Sequence, residues 1–205
     1  LGEVQGLTLL IDFSDQPGTI PAGDFEAYLN EPGYDGYGNN GSVRDYFHDV
    51  SGGALTYTNW VPDAYLRAPQ PKSYYEDPDV SFGQRARELV AWALDEVDRQ
   101  GLDFSQYDAN GDGYIDAVNV FYAGDPDGGW SVGLWPHSWV VTFAADGVQS
   151  YKYQITNIGS SLRLSTFCHE NGHLIMFWPD LYDYGYESSG VGGFCLMCSS
   201  GPGTN

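Results

Sequence analysis

Half of the chain's four histidines, His169 and His173, stand in the stretch Cys168-His169-Glu170-Asn171-Gly172-His173. On an α-helix residues i and i+4 share a face, so both imidazoles can reach one ion while Glu170 stays beside them. Two neutral imidazoles suit Zn²⁺. A third protein ligand leaves one position open for water, and a neighbouring carboxylate can take that water's proton. This is the arrangement of a zinc hydrolase, with Glu170 as general base. Asp180, in Trp178-Pro179-Asp180-Leu181-Tyr182-Asp183, is the leading candidate for the third ligand. The competing explanation is two histidines packed and hydrogen-bonded in a core. Against it stands the spacing, with the glutamate in register, in a chain so poor in histidine.

A second stretch, Asp108-Ala109-Asn110-Gly111-Asp112-Gly113-Tyr114-Ile115-Asp116, has oxygen ligands at positions 1, 3, 5 and 9 and glycine at position 6. That spacing is what a hard cation such as Ca²⁺ needs, with Asp108, Asn110, Asp112 and Asp116 giving side-chain oxygens and Tyr114 its carbonyl. Position 12 is Asn119 where an EF-hand has glutamate, and residues 117–123 read as a strand. A calcium loop feeding a strand is expected, with a structural role. A plain turn rich in Asp, Asn and Gly is the alternative.

The elements that must position these groups follow from periodicity. Residues 4–13 form an almost unbroken apolar run, as in a strand covered on both faces. A short helix over 24–29 capped by Asp24, and one from Ser42 to about residue 50, come next, then a strand over 54–61. Prolines make 62–78 irregular. Ser81 is expected to cap the clearest helix, with Phe82, Ala86, Leu89, Val90, Ala93 and Val97 on one stripe and Gly101 at its end. Two strands, 140–143 and 152–156, are joined through Asp146-Gly147, a hairpin signal. His137, among tryptophans, reads as packing more than chemistry. The histidine helix should begin near Ser160 or Ser161.

Composition bounds the function. A length of 205 residues suits one domain with a sizeable core. Twenty-eight acidic against eight basic residues, formally −20, argue against nucleic acid and an anionic membrane as partners, since little here neutralises phosphates. No run of about 18 apolar residues offers a transmembrane span. The N-terminus lacks a signal-peptide pattern, so an exported form would be a mature or trimmed chain. Cys168, Cys195 and Cys198 cluster near the histidines; a disulfide from Cys168 to Cys195 or Cys198 would pin the helix to the later loop, and a structural zinc site built on the cysteines is a rival.

Residues 7–13, the Ser42-Val43-Arg44-Asp45-Tyr46-Phe47 helix with Val50-Ser51-Gly52-Gly53, the Asp-rich loop before a strand, Trp135-Pro136-His137-Ser138-Trp139, and 169–183 occur in this order. In this the chain resembles the immune inhibitor A-like secreted metallopeptidases, over nearly its whole length. The resemblance implies a fold of the α/β (α+β) class, a metzincin-like zinc peptidase domain in which helices, including the active-site helix, pack a mixed twisted sheet. It implies a single, monomeric catalytic domain over residues 1–205, an extracellular endopeptidase with a polypeptide substrate, and calcium for stability. By motif His169 and His173 match the zinc-binding histidines, Glu170 the general base and Asp180 the aspartate completing the site. Met197 looks like the methionine turn beneath the metal. In two respects the chain departs from the pattern. Met176 stands where the family has glycine, and Asp180 falls one residue late, so the exit turn must be longer and Asp183 is a second candidate ligand. Also, the chain ends at Asn205, where metzincins add a C-terminal helix, which points to a fragment. The rival to the enzyme is a calcium-stabilised binding module that keeps the fold.

Overall fold

The structure, a computed structural model, describes residues 2–198. Six strands make one sheet: β1 (Glu3–Asp12), β2 (Thr56–Trp60), β3 (Leu66–Arg67), β4 (Ala117–Ala123), β5 (His137–Ala145) and β6 (Val148–Ile158). Their order is β2-β1-β4-β6-β5, with β3 continuing beside β1. All pairings are parallel except that of β5 with β6, which places an antiparallel strand at one edge. The class is thus mixed α/β, a mostly parallel sheet packed by helices.

Side chains alternate across this sheet, so β1 feeds two cores. Leu7, Leu9 and Ile11 pack under helix α4 (Gln84–Arg99), against Leu89, Val90, Ala93 and Val97. On the opposite face Leu10 belongs with Phe25 and Leu29 of α1 (Ala22–Asn30), Phe47 of α2 (Val43–Val50), and Phe167 and Leu174 of α5 (Leu164–Ile175). Covering on both faces is why β1 reads as a near-continuous apolar run. No helix of the described residues is long and apolar enough to cross a membrane.

Several local expectations shift. Ser42 caps α2 as expected, in a reciprocal box with Asp45. Asp24 does not cap α1, which follows Pro21 without a side-chain cap; its carboxylate instead accepts from the Tyr37 hydroxyl at 2.6 Å. The long helix starts after Gly83, at φ +76°, and not at Ser81. Phe82 is thereby released to pack on His137, ring centroids 4.8 Å apart. Strand β5 extends back to His137, which brings Ser138 and Trp139 onto the sheet edge.

Helix α5 begins at Leu164 and not at Ser160 or Ser161. Its start is fixed from a distance. The Asn39 amide donates to the Leu162 carbonyl at 2.8 Å and its oxygen accepts from the Leu164 amide at 3.3 Å. The expected disulfide is absent, since Cys168, Cys195 and Cys198 are free thiols. Cys168 is fully buried in the core beneath α5, where burial raises its thiol well above the ordinary value.

Candidate metal centre

Helix α5 presents His169 and His173 one turn apart, ring centroids 4.8 Å from each other. Each Nδ1 is bound to a main-chain carbonyl: His169 to Leu196 O at 2.9 Å, His173 to Trp178 O at 2.6 Å. A carbonyl only accepts, so both Nδ1 atoms carry protons and both Nε2 lone pairs point the other way. These Nε2 atoms lie 3.2 Å apart, and each lies 3.2 Å from Asp180 Oδ1. Zinc bonds of about 2.0–2.1 Å in a tetrahedral site separate ligand atoms by about 3.3 Å.

Three lone-pair atoms at this spacing repel unless a cation or a proton lies among them. Burial lowers the His169 pKa, against the opposing Leu196 carbonyl and Asp180 carboxylate. Asp180 Oδ1 is buried with no hydrogen-bond partner. A buried orphan carboxylate oxygen calls for a cation in a folded protein. The donor set therefore fits a divalent zinc ion on His169, His173 and Asp180.

Asp180 is held by its other oxygen, which accepts from the Tyr182 hydroxyl at 2.8 Å and the Tyr184 hydroxyl at 3.1 Å. Asp183 is used differently: its carboxylate accepts from the amides of Gly185, Glu187 and Ser188 and from the Ser188 hydroxyl. Those bonds make it the organiser of the following loop. Of the two aspartates, the structure brings only Asp180 to the histidines.

The exit from α5 is a left-handed turn made without glycine. Met176 stays in a helical conformation, and Phe177 adopts φ +54°. The left-handed turn is made at Phe177, three residues before Asp180. A side chain with a Cβ costs about 1 kcal/mol or more in that conformation. Phe177 is 71% exposed, so burial does not compensate; Lys152 Nζ lies 4.4 Å over its ring. The Trp178 amide returns to Gly172 O at 3.1 Å, and Trp178 O holds His173.

Met197 packs against the histidine helix. A Cβ added to Gly172 would lie 2.7 Å from Met197 Sδ, so this sulfur packs directly beneath the helix next to His173. The same turn gives Leu196 O to His169 and Met197 O to the Leu181 amide at 2.8 Å. One short segment thus positions both a histidine and the segment that carries Asp180. Neither carbonyl has a signature in sequence, and Tyr184 and Trp178 could be found only from the fold.

Glu170 is 7% exposed and brings a carboxylate oxygen within 4.8 Å of ring nitrogens of both histidines. Burial, with the Asp180 charge adding to it and the Ser138 amide opposing, pushes its pKa up to about 8. A group with a pKa near neutrality is matched to taking and returning a proton.

Behind this helix a chain of buried amides crosses the sheet. Asn171 Oδ1 accepts from Tyr57 OH (2.8 Å), which accepts from Asn119 Nδ2 (2.7 Å), and Asn119 Oδ1 accepts from Gln154 (3.2 Å). Asn119 is therefore a fully buried sheet residue committed to this network, whatever the upstream loop binds. In that loop Gly111 and Gly113 have positive φ, as a sharp turn requires. Asp108 accepts from the Asp112 and Gly113 amides, Asp112 from the Tyr114 amide, and Asp116 from the Gln5 and Ala109 amides. Burial, opposed by those two amides and reinforced by Asp108 and Asp112, raises the Asp116 pKa.

The triad opens onto two clefts. The larger, of about 880 Å³, is walled by Phe82, Trp130, Trp135, His137 and Trp139. His137 lines this cleft and supports its wall: it bonds Trp135 O at 2.6 Å and Tyr153 OH at 2.9 Å, and burial lowers its pKa against the opposing Trp135 carbonyl. Comparison with known protein families gives no match for this chain, and comparison with curated proteins gives none.

Proposed function

We propose that this chain is a zinc-dependent endopeptidase of the immune inhibitor A-like, metzincin-like type. The observation that carries the reading is the convergence of His169 Nε2, His173 Nε2 and Asp180 Oδ1 at 3.2 Å around an oxygen with no other partner, with Glu170 alongside. Zinc held by those three atoms would lower the pKa of a coordinated water and polarise a peptide carbonyl. Glu170, with a carboxylate oxygen within 4.8 Å of ring nitrogens of both histidines, would take the water's proton and return it to the departing amine. The substrate lies extended along β5, the sheet edge that borders the cleft, and is held by main-chain hydrogen bonds. Phe82 and the tryptophans of the larger cleft exclude water from the reacting bond and take up apolar side chains. An extracellular setting follows from the resemblance alone.

The test is direct. After extensive dialysis the protein should retain one zinc per chain, cleave casein, and lose both properties together on treatment with a strong chelator. Metal-free protein that cleaves casein at the normal rate would overturn the reading.

We further propose that the 108–116 loop takes Ca²⁺ through Asp108, Asn110, Asp112, Tyr114 O and Asp116. The position of Asp116 supports it: burial and the charges of Asp108 and Asp112 disfavour its carboxylate, and a cation would relieve this. Calcium at a hundredfold excess over its Kd should raise the melting temperature by about 5–10 °C relative to a calcium chelator. Asp112→Asn should remove most of that difference; an identical melt with and without calcium would exclude the site.

A further inference from the structure

The chain has eight basic residues, and half of them are spent on ion pairs. Arg67, Lys72, Arg85 and Arg99 are in ion pairs. Lys152 makes no ion pair with any described residue; its ammonium rests over the Phe177 ring. Lys152 lies on β6 opposite Val140 of β5, and both line the smaller cleft, of about 430 Å³, together with Trp139, His173, Phe177 and Asp180. The two clefts share Ser138, Trp139, His173 and Asp180, so they run into one another across the metal triad.

One lobe is thus aromatic and the other carries a cation. The only carboxylate among the residues lining the smaller lobe is Asp180, whose oxygens face the imidazoles and the two tyrosines. Lys152 is the only lysine or arginine among the described residues lining that lobe; with Phe177 it also borders the cavity beside Asp112 and Asp116 of the 108–116 loop. Its position is set by Phe177, whose exposed ring in a left-handed turn has no core to fill and serves as the platform beneath the ammonium.

We propose that Lys152 makes the smaller lobe a carboxylate subsite, so that the peptide bond presented to the triad is one flanked on that side by a carboxylate. This rests on the peptidase reading. The carboxylate is either an acidic side chain or a free C-terminus, and both would meet the same ammonium. The net charge of −20 repels anionic peptides at long range, so the preference is local. It concerns groups within the about 8 Å over which charge is felt at physiological salt.

The experiment reads binding and not turnover, using fluorescence anisotropy of labelled peptides on the zinc-loaded Glu170→Gln protein. Short amidated peptides carry one Glu walked along the sequence, each with its Gln counterpart; a further pair differs only in a free or amidated C-terminus. At one position, or at the free terminus, the carboxylate form should bind about tenfold more tightly at low salt. That arm names the source. Lys152→Met should bring the ratio to unity, Lys152→Glu should reverse it, and Lys152→Arg should preserve it. No carboxylate preference in any arm, absence of peptide binding, or a preference unchanged in Lys152→Met would overturn the proposal. Failure of the peptidase reading looks different: wild-type protein that hydrolyses no peptide while the Lys152-dependent preference in binding persists.

Discussion

Glu170→Gln is expected to retain one zinc per chain and to lose about 10²–10⁴-fold in kcat/KM on casein. The amide has the shape of the carboxylate and is uncharged, so it fits a site that is 7% exposed and lies close to the Asp180 charge. It cannot take a proton from water. The two histidines and Asp180 meet one another without passing through Glu170, so metal retention and proton transfer should separate cleanly. Metal analysis after dialysis gives the first quantity and a labelled-casein assay the second. Unchanged turnover in the variant would show that some other group is the base.

The paired substitutions Asp180→Asn and Asp183→Asn should behave in opposite ways. Removing a supporting partner of a metal ligand commonly costs about 10–100-fold in affinity, and weakening the ligand itself should cost more than that. Asp180→Asn should therefore weaken zinc binding by more than about 100-fold, read by competition with a chelating dye. Asp183→Asn should leave zinc affinity within about threefold of normal, since its carboxylate meets loop amides and not the imidazoles. Its effect should be a lower melting temperature, as charge-assisted bonds to three amides weaken. Zinc loss in Asp183→Asn with retention in Asp180→Asn would reverse the assignment of the two aspartates.

Much of the site was legible because its signal is local. The i, i+4 geometry of His169 and His173 requires only that 164–175 be helical, and the apolar positions of that segment make it so. Asp180 was legible as a candidate but not as a choice, because Asp180 and Asp183 differ in neither chemistry nor chain position enough to decide. Their partners decide: hydroxyls and imidazoles for one, amides of a tight loop for the other. The disulfide expectation failed for a comparable reason. Proximity in sequence to the site brings the cysteines to one region, but Cys168 points into the core beneath α5 and the three remain thiols.

By itself, the sequence determined what depends on neighbours along the chain: the apolar strand of 4–13, the Ser42 cap, the helical face of the histidines and the positive-φ turn at Gly113. Tertiary structure alone decided what depends on groups far apart in the chain. Asn39 caps α5 across more than a hundred residues, Leu196 O and Trp178 O set the imidazole tautomers, and Lys152 meets the ring that Phe177 exposes at the helix exit. The physical reason is that a backbone carbonyl or an ammonium has no preferred partner in sequence. It acquires one only when packing both faces of the sheet has fixed where each segment lies.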